Sequence, residues 1–208
     1  MRSDWPIALT AGLAVALTLG GCGSDPAARR QVFAFTLPAD PPVFAPRTNV
    51  VALGRVTISS LFQSRAFTYR TAEDKYVQDP YAGFLTAPER ALAESIRAGL
   101  RQGGAMGRII EPGSGLTPSM TVEAAVTELY GDFRDLAAPA AAMEIHFIIY
   151  EVELGEPGRI VLDKVCSRRA PLARRTPEAL VSGWDADLGG ILNEINSEYT
   201  RAHPDDRR

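Results

Sequence analysis

The most regular hydrophobic pattern in the chain lies near its C-terminal end. Leu180, Trp184, Leu188, Ile191, Ile195 and Tyr199 recur at intervals of 4, 4, 3, 4 and 4 residues. That spacing sets them on one face of a helix with 3.6 residues per turn. Thr176-Pro177-Glu178 stands just before them. It offers a hydroxyl to cap the first N–H groups and a proline whose missing N–H costs nothing in the first turn. A second helical stripe runs through Leu85, Leu92, Ile96 and Leu100. Thr86-Ala87-Pro88-Glu89 has the spacing of a capping box ahead of it, and Gly103-Gly104 ends it.

Elsewhere the period is two. Residues 31–37 alternate around Phe33, Phe35 and Leu37, and residues 49–58 form a mostly apolar run. Between them lies a connection containing Pro38, Pro41, Pro42 and Pro46. Residues 67–70 and 75–78 suit a short hairpin. Asp79-Pro80 is expected to open the first helical region, with a turn over 81–85. Residues 108–111 suit a short strand and 112–118 a turn rich in Gly and Ser. Two long strands follow. Residues 120–130 put Met120, Val122, Ala124 and Val126 on one face. Residues 143–154 put Met143, Ile145, Phe147 and Ile149 on one face and Ile148, Tyr150 and Val152 on the other. Apolar groups on both faces predict a central strand covered on both sides. Gly155-Glu156-Pro157-Gly158 turns the chain back into residues 159–168, expected to run antiparallel. Strands interrupted and followed by long helices predict one α/β domain over residues 31–202 with a mixed sheet. Residues 203–208 form a polar tail.

Composition narrows the function. The 208 residues are 46% hydrophobic and 23% charged, with a net charge of -3. This excludes a wholly disordered chain and argues against nucleic acid as a partner, because no basic surplus exists. Two Cys and two His supply neither a disulfide scaffold nor a zinc site, so no metal and no cofactor is expected.

The N-terminus carries an address. Residues 7–19 are thirteen apolar or small residues, short of the about 20 that span a bilayer as a helix but of h-region length. Leu19-Gly20-Gly21-Cys22 follows. It resembles the bacterial lipobox, in which small residues admit the backbone to the signal peptidase and the thiol receives a diacylglyceryl group. Residues 1–21 are thus expected to be a lipoprotein signal peptide, Cys22 the lipidation site, and 22–30 a small, polar tether. Two or more acyl chains anchor stably where one does not. Gly23, where Asp would favour inner-membrane retention, points to the periplasmic face of the outer membrane, with the inner membrane as the alternative. Lipidation leaves Cys166 without a disulfide partner, as a buried thiol.

No nucleophile elbow, phosphate loop or dinucleotide fingerprint occurs, and no catalytic residue is assigned. His146, mid-strand among apolar residues, is expected to be hydrogen-bonded and structural. Glu128, Asp132 and Asp135, with Arg134 nearby, suit a solvated loop at a strand end. Tyr76, Tyr81 and Phe84 suit core or capping structure, or else a binding surface. Arg168, Arg169, Arg174 and Arg175 concentrate charge between the last strand and the last helix. They suit either a solvated loop or a loop contacting an acidic partner or anionic headgroups.

The succession of motifs resembles the ABC-type transport auxiliary lipoprotein family, the PqiC-like periplasmic lipoproteins. Phe35-Thr36-Leu37 follows the lipid-bearing Cys22. Arg65-Ala66-Phe67-Thr68-Tyr69-Arg70 comes next, followed by Tyr76-Val77, Tyr81-Ala82-Gly83-Phe84, Pro88, Leu92, Ile96 and Leu100. Tyr130-Gly131-Asp132-Phe133 and the terminal helix complete the order. Phe84 departs from the Trp of many members. The resemblance implies a three-layer α/β/α domain with a mixed, largely antiparallel sheet and two long helices. It implies a non-catalytic, lipid-anchored subunit of an ABC transporter whose substrate-binding subunit carries an MCE (mammalian cell entry) domain. Such systems move lipids or other hydrophobic compounds across the envelope. The implied partners are the MCE subunit and, through it, the permease and ATPase, with a homo-oligomer as a further possibility. The alternatives are an outer-membrane lipoprotein of assembly or structural role and a periplasmic hydrolase.

Overall fold

The computed structural model describes residues 30–37, 44, 47–152 and 158–203. The chain order is β1 (Gln31–Phe33), β2 (Val50–Ile58), a 3-10 turn (Ser60–Phe62), β3 (Ala66–Ala72), β4 (Lys75–Phe84) and α1 (Pro88–Gly103). It continues with β5 (Arg108–Ile110), β6 (Met120–Asp132), β7 (Ala140–Glu151), β8 (Ile160–Pro171) and α2 (Pro177–Ala202).

One long strand organises the rest. β6 pairs antiparallel with β7 from Met120↔Glu151 to Asp132↔Ala140, and β7 pairs antiparallel with β8. The second edge of β6 is divided. Its first half runs parallel to β2, from Val51↔Met120 to Ile58↔Val126, and its far end is parallel to β3 at Tyr69↔Gly131 and Arg70↔Asp132. β5 lies outside β2, while β4 and then β1 lie outside β3. The eight-stranded sheet of the described residues is therefore mixed and forked. Its two longest ladders, β6–β7 and β7–β8, are antiparallel, while the parallel β2–β6 and antiparallel β3–β4 ladders are shorter.

The helices cover one face. Leu92, Ile96 and Leu100 of α1 are buried, as is the whole predicted stripe of α2 from Leu180 to Tyr199. The helices touch: a Cβ on Gly99 would collide with Leu192, and one on Gly103 would come within 2.5 Å of Asn196 Nδ2. Thr176 caps α2 by accepting from Ala179 N–H, with Pro177 in the first turn. Gly104, at φ 69°, ends α1 and donates to Leu100 O at 3.2 Å. Beneath the helices Met143, Ile145, Phe147 and Ile149 are fully buried.

The α/β class, the mixed sheet and the two long helices agree with the sequence. Both helices share one face, however, so Ile148 and Tyr150 on the other side of β7 are only partly buried and Val152 is exposed. That second face is covered in part by the 3-10 turn, whose Phe62 stacks on Tyr130.

Several local differences have identifiable causes. β1 is three residues long, because Phe33 reaches the end of β4; beyond it Thr36 N–H donates to Asp185 at 2.9 Å. Asp79-Pro80 continues β4 instead of opening a helix. Asp79 Oδ1 accepts from the N–H groups of Tyr81 (2.7 Å) and Ala82 (3.0 Å), which carries the strand past the proline as a bulge. No capping box forms: Ala87 is the N-cap, without a side-chain bond. Leu85 is 55% exposed and outside the helix, because its N–H is committed to Phe33 O. β8 runs on to Pro171, so Arg168 and Arg169 are strand residues. At the far end His203 N–H donates to Tyr199 O, so this first residue of the expected tail closes α2. The expected signal peptide, most of the tether, most of the proline-containing connection, the turn at 155–157 and the rest of the tail lie outside the described residues.

Trp184 is the densest point of the core. It is fully buried, lies edge-on to Phe67 at 5.1 Å, stacks on Phe84 at 5.5 Å and donates from Nε1 to Ala142 O at 3.2 Å. Trp184→Ala should lower the unfolding free energy by about 3–5 kcal/mol in chemical denaturation, since the cavity cannot close between two layers. A loss under about 1 kcal/mol would contradict this packing.

Candidate functional site

Tyr130 points away from the helices, yet only 1% of it is exposed. Phe62 stacks on its ring at 5.7 Å and Tyr76 meets it edge-on at 5.8 Å. The guanidinium groups of Arg70 and Arg169 each lie 5.8 Å from the ring centre. Its hydroxyl accepts from Arg70 (3.3 Å) and Arg169 (3.1 Å). Three carboxylates complete the cluster. Arg169 contacts Glu128 (3.1 Å) and Asp132 (2.8 Å). Arg134 contacts Asp132 and Glu73, each at 2.7 Å, and Arg70 contacts Glu73 at 2.9 Å. Hydrogen bonds from Arg134 hold the carboxyls of Asp132 and Glu73 below the usual range. Three guanidinium groups face three carboxylates, so the cluster is neutral and ties β3, β6 and β8 together without a net field for an anion.

This corrects two expectations. Glu128 and Asp132 belong to β6 and its ion network and do not form a solvated loop; only Asp135 caps a turn, accepting from Ala137 N–H at 2.9 Å. The four arginines are not one loop surface either. Arg168 and Arg169 point to opposite sides of β8, Arg168 to Glu194 on α2 (3.1 Å) and Arg169 to Tyr130. All four are exposed, but only Arg174 and Arg175 lie in the connection ahead of α2.

Cys166 and His146 are kept apart by the sheet. Cys166 pairs with Ile145, on the helix side, and His146 pairs with Val165, on the other. The Cys166 thiol is buried and pushed up to about 12, chiefly by burial and secondarily by Glu194. His146 Nε2 is 2.5 Å from Asp163 on the partly open face. It is hydrogen-bonded, as expected of a structural histidine, though less buried than its apolar neighbours suggest. Among the described residues no three His, Cys, Asp or Glu side chains gather as a metal site, and no helix is long and apolar enough to cross a membrane.

Two features escaped the sequence. A groove of about 500 Å³ lies between residues 33–37 and α1, lined by Phe33, Phe35, Leu37, Leu85, Ala91 and Ala98, with Glu94, Ser95 and Gln102 as polar lining. It exists because residues 34–37 leave the sheet and are pinned to α2 through Thr36 and Asp185. Asp187, 3% exposed, accepts from Ala170 N–H at 3.3 Å and so occupies an outward N–H of the edge strand β8. Its place three residues after Trp184, beside the apolar stripe, was the one available signal.

These geometries make two predictions. Arg169→Ala strips Tyr130, Glu128 and Asp132 of a shared donor and should cost about 1–3 kcal/mol. Arg174→Ala should stay within about 0.5 kcal/mol in the same denaturation assay. Burial pushes the Asp187 carboxyl up to about 6, against weaker opposition from Ala170 N–H, Arg168 and Arg169. The folded chain therefore keeps this proton to higher pH than the unfolded chain. The stability it confers is full below about pH 4 and is lost as pH rises through about 6. Asp187→Asn should remove about 1–3 kcal/mol of that decline, read as the difference between the two unfolding free energies from pH 4 to 7.

No family model matches the chain, and no curated protein matches it. Solved structures do. A protein of family DUF330 from Xanthomonas campestris aligns with TM-score 0.71 at 14% identity, covering 85% of this chain and 98% of that one. An uncharacterized protein aligns with TM-score 0.58 at 11% identity, covering 82% and 98%. The hypothetical protein CT253 from Chlamydia trachomatis aligns with TM-score 0.50 at 12% identity, covering 76% and 99%. At these identities the likeness is one of fold.

Proposed function

We propose that the protein is a lipid-anchored, non-catalytic subunit of an ABC transporter with an MCE-domain partner, acting at the periplasmic face of the outer membrane. The observation that carries this reading is Cys22, placed where an h-region ends and a short polar tether begins. The fold shared with a DUF330 protein over nearly its whole length supports it. So does the sheet that separates Cys166 from His146, a pair that a cysteine hydrolase would have to bring together. The transported compound belongs to the class of lipids and other hydrophobic molecules. Exposed Arg174 and Arg175 remain available for an acidic surface on the MCE subunit; Arg168 and Arg169 are engaged within the fold.

Cys22→Ser should abolish labelling with radioactive palmitate and release the protein from the membrane fraction, because no other residue can carry the acyl chains. Wild-type protein should co-purify with the MCE subunit. Charge reversal at Arg174 and Arg175 should weaken that association and its salt dependence. Palmitate incorporated into the Cys22→Ser protein would defeat the anchor assignment. Absence of any MCE subunit from the purified complex would defeat the transport role.

A further inference from the structure

The exposed apolar surface of the domain is unevenly distributed. Of eleven large apolar side chains exposed on the described residues, six belong to β1, the 3-10 turn, β4 and the residue after it. Within this group Val32 and Tyr81 share the sheet face that points away from the helices, with the buried Gly83 between them. Val32 pairs with Gly83 in parallel register, and Tyr81 lies two residues before Gly83. Their neighbours Ala82 and Phe84 are buried under the helices, so alternation turns Val32, Gly83 and Tyr81 outward. Val32 is 47% and Tyr81 56% exposed. The Arg65 carbonyl and the Arg30 side chain both lie over the glycine: a Cβ on Gly83 would collide with Arg65 O and sit 3.0 Å from Arg30 Nη2. The nearby Asp79 is already engaged by Tyr69 hydroxyl and by the N–H groups of Tyr81 and Ala82.

An aliphatic group, a half-exposed tyrosine and a guanidinium side by side match the interfacial layer of a bilayer. There aromatic rings sit at headgroup depth and long cationic side chains reach phosphate. Covalent reach decides that this patch, rather than the equally exposed Val165 on β8, faces lipid. Arg30 stands eight residues after Cys22, so even a fully extended tether holds it within about 28 Å of the anchored sulfur.

We propose that Arg30, Val32 and Tyr81 form the face on which the domain rests against the anionic headgroups of the leaflet holding its anchor. This rests on the lipid-anchored reading of Cys22. The acylated full chain is placed in vesicles of phosphatidylethanolamine and phosphatidylglycerol that carry a headgroup-level spin-label quencher. A fluorescent thiol dye is attached in turn to Tyr81→Cys, Val32→Cys and, as control, Val165→Cys; Cys166 is buried and Cys22 acylated, so the dye takes the new thiol. The two sheet edges are about 20–24 Å apart, and quenching should be about threefold stronger at 81 and 32 than at 165. Protein that fails to float with the vesicles overturns the anchor and this proposal together. Protein that floats with equal quenching at all three positions overturns this proposal and leaves the anchor standing. Dye at position 81 already shielded to the same degree before vesicles are added, in a chain that sediments as a dimer, gives the face to a second copy and also overturns it.

Discussion

A β-strand has two edges, and β6 must share one of them between two partners. β7 takes the whole of the first edge. On the second, β2 can pair only as far as Val126 before the chain has to let β3 in at Gly131. The change of partner falls where the β6–β7 register slips, between Val126 and Glu128. Each backbone group stranded there would cost about as much as a lost hydrogen bond. Ser59 N–H meets this need by donating to Val126 O at 2.9 Å as the chain leaves β2. The 3-10 turn follows directly and drops Phe62 onto Tyr130. The fork, the covering of Tyr130 and the arginine–carboxylate cluster around it are therefore one arrangement.

What could be read from the sequence was what short-range periodicity encodes. The α2 stripe, its Thr176 cap, the Gly104 terminus and the β7–β8 hairpin depend on neighbours within a few residues. One error arose from a local side-chain interaction and the others where a distant group outbid the local signal. Asp79-Pro80 looks like a helix opening, yet β4 continues because Asp79 satisfies the next two N–H groups itself. The capping box fails because the preceding backbone is already spent on β1. Arg168 and Arg169 suggested a solvated loop. They are strand residues whose charges are answered by Glu194, Glu128 and Asp132, all more than 20 positions away.

The candidate surfaces divide in the same way. The proposed anchor Cys22 is open to sequence reading because a lipoprotein signal is read by an enzyme from a short linear segment. Tyr130 and its arginines are not, since the sequence places Arg70, Tyr130 and Arg169 tens of residues apart and only the fork brings them together. The groove beside α1 is further still from any pattern, because it is made by residues 34–37 leaving the sheet.

The fork also orders assembly in time. β6, β7, β8 and α2 follow one another in the chain and pair in sequence, with short connections. β1 to β5 find their places only against β6 or through one another. Contacts that close short loops form first, so the C-terminal half is the natural template and the N-terminal half completes it. Synthesis delivers the halves in the opposite order. The first strands out must wait, with the apolar residues of β2 and the Phe67–Phe84 cluster uncovered, until the last third of the chain arrives. A chain built this way leaves apolar surface uncovered for longer than its modest size would suggest.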